Sequence, residues 1–447
     1  MFKTGIMAYY PEIFQKSKTL SLFLLFLCFS FVVGDVGNDK VNILFDTDFA
    51  TDCDDAGALA ILHRMADLGE ARILGMALST SNPTGASAMD VINHYYGRPD
   101  IPIGVLKDLE LTPESRYTDT LTLRFPHDTG PYSELTDATE MYRRILARAP
   151  DSSVTFAVVG FTANMAKLLK SSADSISPLN GVELVRKKVI AVVVMGGVNP
   201  GGDTFNFNHA GHLTKDFLEL CPVKMVFSGK LLGREVLTGA VLSSNPELVA
   251  ANPVASAYYH WTGPGVGRPS WDLTAVYYAV RGLDGLWGMT PEGCNSSDEN
   301  GWNTFVTGDC EHYYLTEIAS DDSVARVLDN MMLEAPLPDS LKGDFHEIWP
   351  PLFLKPVRTK MKIKAYQSNR AVILSYHLDQ SSDVSLDVFD AQGHRITELF
   401  RGKQSAGQYT QIWYKNSSEY QMGNQGIFFI QIVINNVSDV LRYIKTD

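Results

Sequence analysis

The sequence predicts an α/β fold, an open and mostly parallel sheet flanked by helices, followed by a small all-β sandwich. Three observations carry this. From Val41 to about Phe353, uninterrupted apolar runs alternate with amphipathic helical stretches. After a proline-rich segment, "WPPLFLKPV" (349–357), the pattern changes to period-two alternation. The 447-residue chain is long enough for two domains of different class.

Each element follows from its residues. "VNILF" (41–45), "ILGMALS" (73–79), "VTFAVVG" (154–160), "VIAVVVM" (189–195) and "VKMVFS" (223–228) are β-branched and apolar on both faces. Strands of that kind belong in a parallel sheet covered on both sides. Between them, "DDAGALAILHRMADLG" (54–69), "ELTDATEMYRRILARA" (134–149) and "TANMAKLLKSSA" (162–173) carry helical periodicity. Strand and helix in alternation give βαβ units. Beyond the prolines, "AVILSYHL", "DVSLDVFDAQG", "YTQIWYK", "GIFFIQIVIN" and "DVLRYIKTD" alternate with turn residues and show no helix signal, as in a sandwich. The expected division is residues 1–34, 40–353 and 358–447.

The amino terminus reads as a secretory signal. Lys16 and Lys18 precede an apolar run from Leu20 to Val33, with small Gly34 after it, and the run is short for a membrane span. Cleavage near Gly34 would discard Cys28 and leave Cys53, Cys221, Cys294 and Cys310. The expected location is therefore exported: periplasm, cell surface or extracellular. Export permits disulfides, and Cys294 and Cys310 flank a polar loop, but spacing alone does not fix their geometry. A formal net charge of −13 argues against a nucleic-acid partner, since binding phosphates needs a basic face. A homo-oligomer is compatible with the sequence.

The chemistry concentrates in "VNILFDTDFATDCDDAGALAIL" (41–62). Asp46, Asp48, Asp52, Asp54 and Asp55 fall within ten residues that contain no Lys or Arg. Carboxylates this close repel, and burial raises their pKa values, so a cation, a proton or a polar substrate has to sit among them. Asp46 and Asp48 end the first strand, where open α/β sheets bind ligands. Asp54 and Asp55 open the next helix, whose dipole favours negative charge. A calcium-binding EF-hand loop does not fit: counted from Asp46, the fifth, sixth and twelfth residues are Ala50, Thr51 and Gly57. Asp46–Thr47–Asp48 resembles the D-x-D of haloacid dehalogenase-type hydrolases, but Ala50 stands where Thr or Val is expected. A divalent-metal site remains. Hard carboxylate oxygens suit Ca²⁺ or Mg²⁺, and no Cys/His set has zinc spacing.

The same stretch resembles the amino-terminal fingerprint of the nucleoside hydrolase family, of the inosine-uridine preferring type. "STSNPT" (79–84), "VVGFTANMAKLL" (158–169), "VVVMGGVNPGGDTFNFNHAG" (192–211) and "RPSWDLTAVYYAV" (268–280) are similar to four further segments of that family, in the same order. The resemblance implies a calcium-dependent hydrolase that splits the N-glycosidic bond of ribonucleosides into base and ribose. It implies Ca²⁺ on Asp48, Asp55, the main-chain carbonyl near Ala163, and Asp272. Asp48 would also be the general base for the water. Asp54, Asn82 and Asn206 would hold ribose hydroxyls. The loop before the D-D pair is two residues longer than the common fingerprint, so Asp52 could take a metal-binding role given to Asp54 or Asp55. Thr204 stands at a Glu position that would bind the ribose 5′-hydroxyl, Ala163 at a Thr position, and Trp271 where some members carry a leaving-group His. The histidines nearest by segment are His209, His212, His260 and His312, and "AYYHWTGPG" (257–265) reads as a mobile lid or a plain helix end. Two alternatives stay open: a non-catalytic calcium- or sugar-binding surface protein on the same fold, and a hydrolase of another glycoside.

The carboxy-terminal stretch resembles the FlgD-like immunoglobulin fold and the related sorting domains of type IX secretion. The pattern lies in "VFDAQGHRI", "SAGQY" and "QGIFFIQI", with Gly393, Gly407 and Gly426 at hairpin corners. That resemblance implies the secretion machinery as a partner, alongside the small-molecule nucleoside or related glycoside.

Overall fold

A computed structural model describes residues 40–111, 114–336, 346–347, 363–367, 371–389, 395–414, 426–435 and 437–445. The signal-like segment and the proline-rich stretch 349–357 lie outside these residues. The α/β part opens with β1 (Val41–Thr47), α1 (Asp54–Asp67), β2 (Ala71–Leu78), α2 (Gly85–Tyr95) and β3 (Ile103–Val105). It continues through α3 (Thr118–Arg124), β4 (Thr136–Asp137), α4 (Ala138–Arg148), β5 (Val154–Val158), α5 (Ala163–Lys170), α6 (Gly181–Lys188) and β6 (Val189–Val194). Next come β7 (Gly201–Gly202), α7 (Phe205–Ala210), α8 (His212–Leu220), β8 (Lys224–Phe227), α9 (Gly229–Leu232) and β9 (Leu237–Thr238). The last third holds α10 (Ala240–Ser244), α11 (Pro246–Ala251), α12 (Pro253–Thr262), β10 (Arg268–Pro269), α13 (Trp271–Arg281), four strands β11–β14 (287–317) and α14 (Asp321–Leu333).

The parallel strands run in the order β4-β3-β2-β1-β5-β6-β8-β14, and an antiparallel extension β12-β13-β7 follows β14. The chain moves outward from β1 through β2 in one direction and returns to place β5 on the other side of β1. Such a reversal opens a crevice at the carboxyl ends of the two central strands, where open α/β sheets bind ligands. Asp46 pairs in register with Val158 of β5 and Ala77 of β2, so the aspartate loop leaves the sheet at that point.

Strands buried on both faces need a core on each side, and the structure has two. Ile43 and Phe45 face one that includes Leu59, Leu62 and Leu273, while Leu44, Phe156 and Val158 face another with Leu146 and Met165. This explains the unbroken apolar runs. The carboxy-terminal part forms two four-stranded antiparallel sheets that share one core. Val372, Leu374 and Trp413 come from the first sheet, and Leu386, Val388 and Ile430 from the second. Cys294 and Cys310 are joined in a disulfide with Cα atoms 5.0 Å apart, which ties β12 to the turn before β14.

Candidate functional site

β1 ends at Thr47, and the chain then turns back sharply over the edge of the sheet before α1 begins at Asp54. Ala50 has φ of 142°, a conformation that strains a non-glycine residue. The loop after β5 closes on this turn from the side. A Cβ on Gly160 would stand 2.1 Å from the Asp48 nitrogen and 2.4 Å from the Ser79 hydroxyl, so only glycine allows the approach. Ser79 Oγ in turn accepts the Phe161 N–H at 3.0 Å. The three strand ends β1, β2 and β5 are thereby laced together under the aspartates.

Helices α1 and α13 present their first turns to the same point. The Asp272 N–H donates to Asp54 Oδ2 at 3.1 Å, so an aspartate of one helix satisfies a free donor at the start of the other. Asp54, Asp55 and Asp272 place carboxylate oxygens within 4.8 Å of one another, and all three are buried. Thr47 Oγ1 donates to Asp55 Oδ1, while Asp55 Oδ2 is buried with no hydrogen-bond partner. Thr51 Oγ1 donates to Asp48 Oδ2 at 2.8 Å. Asp48, Thr51, Asp52, Asp54, Asp55 and Asp272 line a cavity of about 280 Å³ whose other walls include Asn206, Thr204, Phe205, Arg268 and Trp271.

The electrostatics follow from burial. Desolvation, followed by repulsion from its neighbours, holds the carboxyls of Asp54, Asp55 and Asp272 well above the usual carboxylate range. Asp48 is pushed up to about 7, again chiefly by burial, and the Thr51 hydroxyl offsets part of this. Asp46 lies one layer deeper. Burial raises it to about 7, although the Tyr142 hydroxyl donates to its Oδ2 at 2.5 Å. Two helix dipoles favour negative charge here, but they do not outweigh the loss of water around four clustered carboxylates.

The donor set fits a hard divalent cation. All the candidate ligands are oxygens, a buried carboxylate oxygen lacks a partner, and three buried carboxylates face one another. Asp54, Asp55 and Asp272 would hold such an ion, with Asp48 beside them.

The remaining residues expected from the sequence are placed as follows. Asn206 lines the cavity. Its Nδ2 donates to the main-chain oxygens of Val159 at 2.6 Å and Met195 at 3.1 Å, which leaves Oδ1 as the atom for a ligand. Asn82 does not line the cavity. Its Oδ1 accepts from the Thr84 N–H and hydroxyl, both at 3.0 Å, in a turn at the start of α2. Ala163 is buried at the first turn of α5, three residues beyond Gly160. Asp52 is on the cavity wall but both its oxygens face a guanidinium. Arg268 Nε donates to each at 2.9 Å, and Nη2 adds a contact to Oδ2. The structure therefore groups Asp52 with Arg268 rather than with the three clustered carboxylates.

Several site residues were not singled out from the sequence. Arg268 sits in the quoted segment "RPSWD", yet only the fold brings it 216 residues back to Asp52. Its guanidinium lies 5.3 Å from the centre of the Trp271 ring and 5.9 Å from that of Trp261. The Trp271 indole N–H donates to the Lys230 carbonyl at 2.9 Å. Met195 and Phe205, which lie inside the quoted segment 192–211 but were given no role, also line the cavity, and so does Lys230, which had no motif to announce it. None of His209, His212, His260 and His312 is in the cavity wall. His209 stacks on Phe161, and His312 accepts the Asn295 N–H at 2.9 Å. Within "AYYHWTGPG", residues 257–262 close helix α12, and Arg116 lies over the Trp261 ring.

No protein-family model matches the chain, and no curated protein matches it. Solved structures do. The type III effector protein XopQ complexed with adenosine diphosphate ribose superposes with a TM-score of 0.50 at 14% identity, over 67% of this chain and 94% of that one. A second effector protein gives 0.50 at 16%, with the same coverage. An inosine-uridine preferring nucleoside hydrolase from Bacillus anthracis gives 0.49 at 12%, over 65% of this chain and 98% of that one. The chain shares the fold of the two effectors.

Proposed function

We propose that the protein hydrolyses the N-glycosidic bond of a ribosyl compound, with Ca²⁺ held by the buried aspartates. The observation that carries this reading is the convergence of Asp48, Asp54, Asp55 and Asp272 on one cavity at the switch point of the sheet, with a carboxylate oxygen left unpartnered among them. The ordered nucleoside-hydrolase-like segments support it, and so does the fold shared with an effector complexed with adenosine diphosphate ribose, itself an N-ribosyl compound.

A divalent cation bound there would make a water more acidic and orient the sugar's hydroxyls. The chain's own residues account for the rest. Asp48 can take the water's proton, and Thr51 fixes the direction of its carboxylate. The Asn206 Oδ1 accepts a hydrogen bond from a sugar hydroxyl, and Asp54, besides its place beside the ion, accepts another. As the glycosidic bond breaks, positive charge develops on the ring, and the surrounding carboxylates stabilise it. Trp271 and the half-exposed Phe205 offer flat apolar faces for a base.

Export belongs to the same proposal. The Cys294–Cys310 bridge supports it, because disulfides persist in oxidising compartments. The sandwich would then serve as the sorting or attachment domain.

The deciding experiment is release of free ribose from a nucleoside panel by the protein, with Ca²⁺, with chelator, and with Asp48→Ala. Calcium-dependent release that the substitution abolishes is the expected result. Tight calcium binding without release from any ribosyl compound would refute the hydrolase and leave a binding protein.

A further inference from the structure

The cavity wall that carries the clustered aspartates also carries two cations. Lys230 and the Thr204 hydroxyl are part of that wall, together with Phe205 and Asn206. Of the two cations in the lining, Arg268 is committed to Asp52, whereas Lys230 has no carboxylate partner among the described residues. Its ammonium donates to the main-chain oxygen of Asp203 at 3.3 Å, beside Thr204. A lysine placed there to neutralise the aspartates would sit on a carboxylate, and this one does not. Thr204 Oγ1 accepts the Gly197 N–H at 3.1 Å, which leaves its proton free to donate outward.

Lys230 also lines a second, adjoining cavity of about 240 Å³ with Ser228 and Gly229. Ser228 is 2% exposed, and its hydroxyl has no hydrogen-bond partner. Leaving a buried hydroxyl unpaired costs free energy, so an unpartnered hydroxyl on a residue of the cavity wall calls for a partner atom there. The one carboxylate on that wall, Glu317, is exposed. A cation and two hydroxyl donors, joined through one lysine to a site for sugar hydroxyls, match the chemistry of a phosphorylated sugar.

We infer that the substrate is an anionic ribosyl compound, a nucleoside carrying phosphate, with the sugar on the aspartates and the phosphate on Lys230, Thr204 and Ser228. The inference rests on the reading of the aspartate cluster as a ribosyl site, and it adds the class of substrate.

The test separates the two. Titration calorimetry on the full chain with Ca²⁺ would compare ribose, ribose 5-phosphate and inorganic phosphate, for the native protein and for Lys230→Met, Lys230→Arg and Ser228→Ala. Ribose 5-phosphate should bind at least about tenfold more tightly than either ribose or phosphate alone. Lys230→Met should remove that advantage without changing ribose binding, Lys230→Arg should keep most of it, and Ser228→Ala should reduce it about threefold. Equal affinity for ribose and ribose 5-phosphate, or an advantage that survives Lys230→Met, would overturn the inference. So would free phosphate binding as tightly as ribose 5-phosphate. Nucleoside hydrolysis with no phosphate preference would leave the hydrolase reading standing without the anionic substrate. Lys230-dependent binding of ribose 5-phosphate with no ribosyl compound hydrolysed would do the reverse.

Discussion

Asp55→Asn should make the protein more stable without calcium and less stable with it. Asp55 is fully buried, and its oxygens lie within 4.8 Å of those of Asp54 and Asp272. At an effective dielectric of 20, two unit charges at that distance repel by about 3.5 kcal/mol. Proton uptake by the cluster absorbs part of this, so the amide should gain about 1–2 kcal/mol in chelator. Asparagine keeps the acceptor that Thr47 uses, and its NH₂ can take the position of the unpartnered Oδ2 and donate to a neighbouring carboxylate. With calcium at a hundredfold excess over its dissociation constant, the native protein gains about 2.7 kcal/mol and the variant almost none. For a domain of this size each kcal/mol moves the midpoint by about 2–4 °C. The native protein should therefore melt about 5–10 °C higher with calcium than with chelator. The order of the two proteins should invert between the conditions. Scanning calorimetry of both, in excess Ca²⁺ and in chelator, reads this directly. A native midpoint that ignores calcium, or a variant that responds as the native does, would refute the assignment of the aspartates to a cation.

Other perturbations test the frame around the site. Arg268→Met should cost about 1–2 kcal/mol, since the pair is partly exposed, and adding Asp52→Asn should recover most of it; additive losses in urea melts would mean the pair is not coupled. Gly160→Ala puts a methyl group into the backbone of β1's end, so a loss of about 3 kcal/mol and of any ribose release is expected from denaturation and activity assays. Asp329 accepts the Gly239 N–H at 2.7 Å, and burial raises it from 3.8 to about 6. The folded state then holds its proton more tightly than the unfolded state, so this group's contribution to stability falls as pH rises from about 4 to about 6. Above that window the ionised group costs up to about 3 kcal/mol, and Asp329→Asn should recover it at pH 7 but not at pH 3 in pH-dependent urea melts.

The fold was legible because its signals are local. An unbroken apolar strand such as "VIAVVVM" and an amphipathic helix such as α4 state their burial within a few residues. The aspartate cluster was legible for the same reason: five acids lie from Asp46 to Asp55, and their density alone calls for a positive partner. What could not be read locally is how the five acids divide their work. In sequence, Asp52 is as plausible a metal ligand as Asp54 or Asp55, being two residues from one and three from the other.

The division is made by partners far along the chain. Asp54 meets the start of a helix 218 residues away, which turns its carboxylate into the cluster. Asp52 meets Arg268, which holds its two oxygens together and away from the cluster. Asn82 shows the converse. Its short polar side chain is well suited to a ligand, but it is equally suited to an Asx turn, and Thr84 two residues on satisfies its oxygen locally. Lys230 carried no signal because a lone lysine after a strand is ordinary; its meaning comes from the company of Thr204 and Ser228 and from the absence of a carboxylate on its ammonium among the described residues. Motif order thus points to the aspartate loop, and the long-range pairings decide which acids face one another and which is held by a guanidinium.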